Sequence, residues 1–256
     1  MIVTIFGKPR AGKSTIVASI VETNRRKKVK YEKRIAKSRL YKFLDARDDK
    51  KFYHFLKSRL YAKNFYDVVY STDPTILNTC PIEYKDVGTF KPTWNSLFIL
   101  EEAGIGIDSR QYKNLTTDSK RFAAMHGHQG VDVLVVSQTV DIDKAYRQRS
   151  QIMYIASKVG PFTLMRRISY SVDVDETTHD LVDAYSKVNP LLYVWELLCS
   201  TIKKDRIKHK LPLQRSRFIF RPRWYKYFNS FVDDYNYKNE DPAIKWQEER
   251  EAAAQI

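Results

Sequence analysis

Residues 1–15 read MIVTIFGKPRAGKST, and the order of their parts decides the fold. Ile2 to Phe6 is a short apolar run rich in β-branched residues, which suits a buried strand and stops at a glycine. Gly7, Lys8, Pro9, Arg10, Ala11, Gly12, Lys13 and Ser14 then match the phosphate-loop pattern G-x-x-x-x-G-K-[ST] at every position. Ile16, Val17, Ile20 and Val21 follow at the spacing of a helix with one apolar side. Strand, glycine loop, helix is the context this motif needs. The loop turns its backbone N–H groups toward a phosphate, Gly12 allows the close approach, and the helix N-terminus adds partial positive charge. Lys13 is expected to neutralise β- and γ-phosphate oxygens of ATP, Ser14 to ligate Mg2+, and Thr15 to lie beside the α-phosphate.

Strand-length apolar runs recur outward from this unit at Tyr66–Tyr70, Leu97–Leu100, Val131–Val136 and Ile152–Ile155. They are nearly uninterrupted rather than alternating, as parallel strands covered on both faces should be. Helical patterns lie between several of them, at Ser119–His126 and Asp143–Arg149. The predicted class is α/β: a P-loop NTPase fold with a doubly wound, mostly parallel sheet. Residues 1–200 are expected to form the ATPase domain, with a basic helical insert at 25–64, and 201–256 an irregular, basic, aromatic extension that ends in a helical pattern at Asp241–Ile256.

Charge is unevenly spread along the 256 residues, whose 45 Lys and Arg outnumber 30 Asp and Glu for a formal +15. Arg25–Lys63 holds 16 basic residues against four acids, and Lys203–Lys226 ten against one. Such an excess favours polyanions, nucleic acid or anionic lipid. Arg25, Arg26, Lys27, Lys28, Arg221 and Arg223 are the cations expected to grip DNA phosphates, with Trp224, Tyr225, Tyr227 and Phe228 available to stack on single-stranded bases. Two cysteines, Cys80 and Cys199, make no disulfide framework. His126 and His128, two residues apart, do not share a helix face and are not read as a metal pair. The N-terminus lacks the basic and apolar regions of a signal peptide. The most membrane-like stretch, Pro190–Ile202, spans 13 residues and contains Glu196, short of the roughly 20 a spanning helix needs. A cytoplasmic protein is expected, with contact to a membrane surface at most.

A phosphate loop needs an acid at the end of a neighbouring strand to hold Mg2+ and order the attacking water. LFILEEAG, residues 97–104, supplies two. Glu101 is assigned to the metal and Glu102 to polarising the water, although the two roles can be exchanged. VDVLVVSQT, residues 131–139, ends a further strand in Ser137 and Gln138, and the amide of Gln138 is suited either to sense the γ-phosphate or to position the water.

The phosphate loop, LFILEEAG, Ser109–Arg110, HGHQGVDVLVVSQ and the run Asp143–Lys144–Ala145–Tyr146–Arg147 together resemble the N-terminal ATPase domain of the zonular occludens toxin-like family. That family includes the assembly ATPases of filamentous bacteriophages and is similar to hexameric DNA-pumping ATPases of the FtsK and HerA type. The resemblance covers residues 1–24 and about 95–160. It implies ATP hydrolysis coupled to packaging, translocation or extrusion of phage DNA, single-stranded by preference, during virion assembly. It also implies a homo-oligomer of the hexameric kind, phage coat or assembly proteins as partners, and work at the host inner membrane. Residue by residue, it makes Gln138 the γ-phosphate sensor and Arg147 or Arg110 a catalytic arginine acting on a neighbouring subunit's nucleotide. The chain departs from the family in opening the acidic pair with Glu rather than Asp, in placing Gly127 between His126 and His128 where Arg is common, and in lacking a spanning helix. The last point favours a packaging or translocation motor over a membrane-anchored extruder. Two other readings remain open: a small-molecule or nucleotide kinase whose basic hairpin serves as a lid, and a nucleotide-switched assembly adaptor without turnover.

Overall fold

The computed structural model describes residues 1–103, 117–138, 142, 144–168, 210–211 and 216–228. The first strand, β1 (Ile2–Phe6), runs into the glycine loop and then α1 (Lys13–Lys37), a helix of 25 residues. Arg25 therefore opens no separate element, because α1 continues through it to Lys37. Ser38 ends α1 and starts α2 (Arg39–Asp45), its hydroxyl accepting the Tyr41 N–H at 3.1 Å as an N-cap. α3 (Lys51–Leu60) packs back on α2, and Lys57 ties the hairpin by bonding Asp45 and Asp48.

The remaining elements are β2 (Val68–Ser71), β3 (Cys80–Pro81), β4 (Ser96–Leu100), α4 (Thr117–Met125), β5 (Val131–Ser137), α5 (Lys144–Arg147), β6 (Ser150–Val159), β7 (Phe162–Ile168) and β8 (Ser216–Phe220). The eight strands form one sheet in the order β3-β2-β4-β5-β1-β6-β7-β8. Its first six members run parallel, while β7 and β8 are antiparallel additions. The strand expected at 152–155 is the centre of a longer one, and β7 has no counterpart in the expectation. β8, which lies in the stretch expected to be irregular, forms one edge of the sheet and is followed by two short 3-10 turns. The terminal helical pattern at 241–256 lies outside the described residues.

β1 is buried at every position, which the doubly covered sheet explains. Val3 and Ile5 point toward Ile16, Val17, Ile20 and Val21 of α1. Ile2 and Phe6 join Phe98, Leu100, Val133, Val135 and Phe122 on the opposite face. Successive strand residues alternate between two cores, so each core anchors the loop that follows β1. Among the described residues, no helix is long and apolar enough to cross a membrane.

Candidate functional site

The register of the sheet places its strand ends at one level. Phe6 of β1 pairs with Ser137 of β5, and Leu100 of β4 pairs with Val135 of β5. Gly7, Glu101, Glu102 and Gln138 each follow one of these ends, so the phosphate loop, the acidic pair and the amide share the carboxyl edge of the sheet. This is where open parallel sheets bind ligands.

The loop is held from both sides. The Gly7 N–H donates to Ser137 O at 3.2 Å, and the Ala11 N–H closes a turn onto Lys8 O at 3.1 Å. Gly12 has φ +91°, the left-handed region that glycine enters without strain. A Cβ there would also overlap Thr163 Oγ1 and lie 3.2 Å from Arg221 Cδ. Lys8, Pro9 and Arg10 form the exposed crest, whereas Lys13 and Thr15 are buried and Ser14 half-buried. The Lys13 ammonium folds back over the loop, donating to Gly7 O at 2.8 Å and Lys8 O at 3.2 Å. Burial lowers its pKa, and the nearby charges of Glu102 and Glu101 oppose that shift.

Glu101 and Glu102 occupy different surroundings. Glu101 is 6% exposed, and its Oε1 has no hydrogen-bond partner among the described residues. Burial pushes its carboxyl up to about 8, with the neighbouring charges of Asp73 and Glu102 adding to the effect and Lys13 opposing it. Its backbone is pinned, the N–H donating to Thr72 Oγ1 at 2.9 Å and the carbonyl accepting from the Tyr84 hydroxyl. Glu102, at φ +51°, breaks out of the strand into the left-handed region. Its carboxylate takes both Gln138 Nε2 contacts, each 2.9 Å. The pairing of Glu102 with Gln138 joins two residues that sequence reasoning selected separately.

An orphaned buried carboxylate oxygen facing a lysine-bearing phosphate loop fits a hard divalent cation. Among the described residues, no cluster of three His, Cys, Asp or Glu side chains is arranged to hold a metal unaided. Mg2+ needs none, since it binds through one or two carboxylates together with phosphate oxygens and water. Glu101 and Ser14 are the protein oxygens suited to that role.

Thr72 and Asp73, just beyond β2, and Tyr84 belong to this site, and sequence reasoning missed them. Their signal was present: VVYSTD, residues 68–73, is another apolar run that ends in polar groups at a strand terminus. Thr163 and Arg221 also reach the loop, and they carried no local signal.

Several expected residues lie elsewhere. Arg147 comes three residues before Ser150, which pairs with Ile2 at the opposite end of β1 from Gly7. It is therefore not a partner of its own chain's loop. Arg110 lies outside the described residues. Arg25 and Arg26, expected to face DNA, both bond the buried carboxylate of Glu22, at 2.6 and 2.8 Å. These arginines hold Glu22 down to about 2 against the opposing effect of burial. Lys28 donates to Asp67 O at 3.1 Å, and Lys27 lies half-buried near Arg217. Trp224 corrects the stacking expectation: it is 8% exposed and packed into the core beneath α1, with Arg26 and Arg223 beside its ring. Tyr227 is half-buried, with its hydroxyl 3.4 Å from Glu22. Arg223 and Tyr225 are exposed. Arg221 turns toward the phosphate loop instead of the exposed basic surface.

No protein-family model matches the chain, and no curated protein matches it. Among solved structures it is similar to the N-terminal domain of zonular occludens toxin from Neisseria meningitidis. That match has 13% identity and a TM-score of 0.44, covering 89% of this chain and 98% of the other. The genome packaging NTPase B204 of Sulfolobus turreted icosahedral virus 2, solved in complex with ATP-gammaS, matches at 12% identity and a TM-score of 0.32. It covers 62% of this chain and 76% of its own. B204 of Sulfolobus turreted icosahedral virus, described as a DNA-packaging ATPase, matches at 15% identity and the same TM-score, over 62% and 77% of the two chains.

Proposed function

We propose that this protein is a P-loop ATPase that couples ATP hydrolysis to moving viral DNA during virion assembly. One observation carries the chemical part: Glu101 and Glu102 follow β4 at the same sheet edge where the phosphate loop follows β1, with Gln138 holding the Glu102 carboxylate through two 2.9 Å contacts. The loop amides, Lys13 and Thr15 bind the phosphate chain, and Gly7 to Gly12 shape the cradle. Ser14 and Glu101 would hold Mg2+, which would supply charge neutralisation to the phosphate chain. Glu102 accepts a proton from the water whose oxygen bonds to the γ-phosphorus as the Pγ–O bond to the β-phosphate breaks and ADP leaves, and Gln138, which holds the Glu102 carboxylate beside the γ-phosphate end, orients that water. Arg147 or Arg110 acts in trans, which makes the active form a homo-oligomer.

The two basic stretches support the DNA part. With Arg25 and Arg26 bonded to Glu22 and Lys27 and Lys28 half-buried, the grip falls mainly to Arg223 and Tyr225 and to the exposed cations of the α2–α3 hairpin. Coat or assembly proteins and the inner face of the host membrane are the protein's proposed surroundings.

ATP turnover by the full chain, with and without single-stranded DNA, tests both parts. The expected result is turnover that DNA stimulates and that added salt makes less responsive, because binding to phosphates releases counterions. Turnover indifferent to DNA would leave an ATPase without the motor, and phosphorylation of a small acceptor would replace the reading with a kinase.

A further inference from the structure

The acids that mark the γ-phosphate end of the site stand on β4, with Gln138 after β5, on one flank of β1. The other flank is β6, β7 and β8. From β7, the Thr163 hydroxyl donates to Ala11 O at 3.2 Å, inside the phosphate loop. Beyond β8, Arg221 lies along the same stretch, its Cδ 3.2 Å from where a Cβ on Gly12 would stand.

Arg221 is anchored at two points. Its backbone N–H donates to Pro161 O at 3.0 Å, and one terminal guanidinium nitrogen donates to Gly160 O in the β6–β7 turn. Its Nε is buried and has no acceptor among the described residues. Leaving a charged donor buried and unpaired is costly, and the nearest structural feature is a loop built to receive phosphates. A nucleotide whose γ-phosphate lies toward the acids on the β4–β5 side extends its α-phosphate and nucleoside toward the β7–β8 side.

We infer that Arg221 is a nucleotide-binding residue acting in cis, its guanidinium meeting the α-phosphate and ribose end of the bound nucleoside di- or triphosphate. This rests on the phosphate-loop reading above and adds to it a binding group from the far end of the chain. Arg221 grips the part of the nucleotide that does not change on hydrolysis. It therefore contributes to holding ATP and ADP alike and little to the chemical step.

The test is nucleotide affinity by calorimetry for the full chain and for Arg221→Gln, which keeps a neutral donor for Gly160 O and removes the charge. Lys13→Ala serves as control, and a thermal melt without nucleotide reports folding. The expected result is a Kd for ATP and for ADP weakened by the same factor, about 10- to 100-fold, in proportion to one lost charged hydrogen bond. The kcat should stay within about twofold and the nucleotide-free melt should be unchanged. Unchanged affinities in Arg221→Gln alongside abolished binding in Lys13→Ala would overturn the role of Arg221 and leave the phosphate loop standing. A fall in kcat with intact affinity would also overturn it. Absence of nucleotide binding by the unaltered protein would overturn both. If Arg221→Gln melts early, Arg221→Lys decides: it keeps the charge and should retain most of the affinity, and a loss as large as that of Arg221→Gln would contradict the charge contact.

Discussion

Two flanks meet at the phosphate loop, and they are built from opposite materials. On the β4–β5 side stand Glu101, Glu102, Asp73 and Gln138, with one carboxyl so buried that it is pushed up to about 8. On the β7–β8 side stand Thr163, whose hydroxyl bonds Ala11 O, and Arg221, whose Cδ lies beside Gly12. An acidic flank suits metal binding and proton transfer, and a donor-rich flank suits holding a phosphate still. Variants that separate turnover from binding can therefore break this division or sharpen it.

Lys13 folds over the loop on which both flanks converge, so Lys13→Ala should have the largest effect: loss of both nucleotide binding in calorimetry and measurable turnover. Retained affinity would mean that the loop does not work as described. Glu102→Gln comes next. Removing the group that accepts the water's proton should lower kcat about 100- to 10,000-fold while ATP affinity holds. A fall in affinity instead would move Glu102 from the chemical flank to the binding one.

Gly12→Ala probes the junction physically. A left-handed φ and the overlap with Thr163 together should reduce stability by about 2 kcal/mol in denaturant unfolding. Thr163→Ser, which removes a methyl and keeps the hydroxyl, should restore little of it, because the overlap is with the oxygen.

A further test of the acidic flank concerns pH. With its folded pKa raised to about 8 against an ordinary 4.5, Glu101 keeps a proton in the nucleotide-free protein over a range where the unfolded chain has released it. The folded state then binds more protons, so stability falls as pH rises from about 4.5 toward 8. Glu101→Gln should remove that component, raising the melting temperature at pH 8 while changing it little at pH 4.5. Equal shifts at both values would contradict the assigned cause.

The acidic flank was legible in the sequence because its signals are local. β1, β4 and β5 are mostly apolar runs, and each leads directly into a residue the site uses, Gly7, Glu101 and Gln138. The opposite flank was opaque for a topological reason. β7 pairs with β8 across about 50 intervening residues, and nothing in the pattern around Thr163 or Arg221 names the loop they touch. Counting cations also misled: Glu22 lies three and four residues before Arg25 and Arg26, the spacing at which helix side chains meet, so one buried acid occupies both. RFIFRPRWYKYF shows the same limit. Composition identifies a basic aromatic edge, but only packing against α1 decides that Trp224 is covered while Tyr225 stays exposed.

The most direct measurement is a crystal structure of the protein with Mg2+ and a nonhydrolysable ATP analogue. The triphosphate is expected in the loop between Gly7 and Ser14, with the Glu101 carboxylate in the shell of the ion and Glu102 facing the γ-phosphate. An analogue bound elsewhere, or an ion with both glutamates turned away from it, would contradict this arrangement.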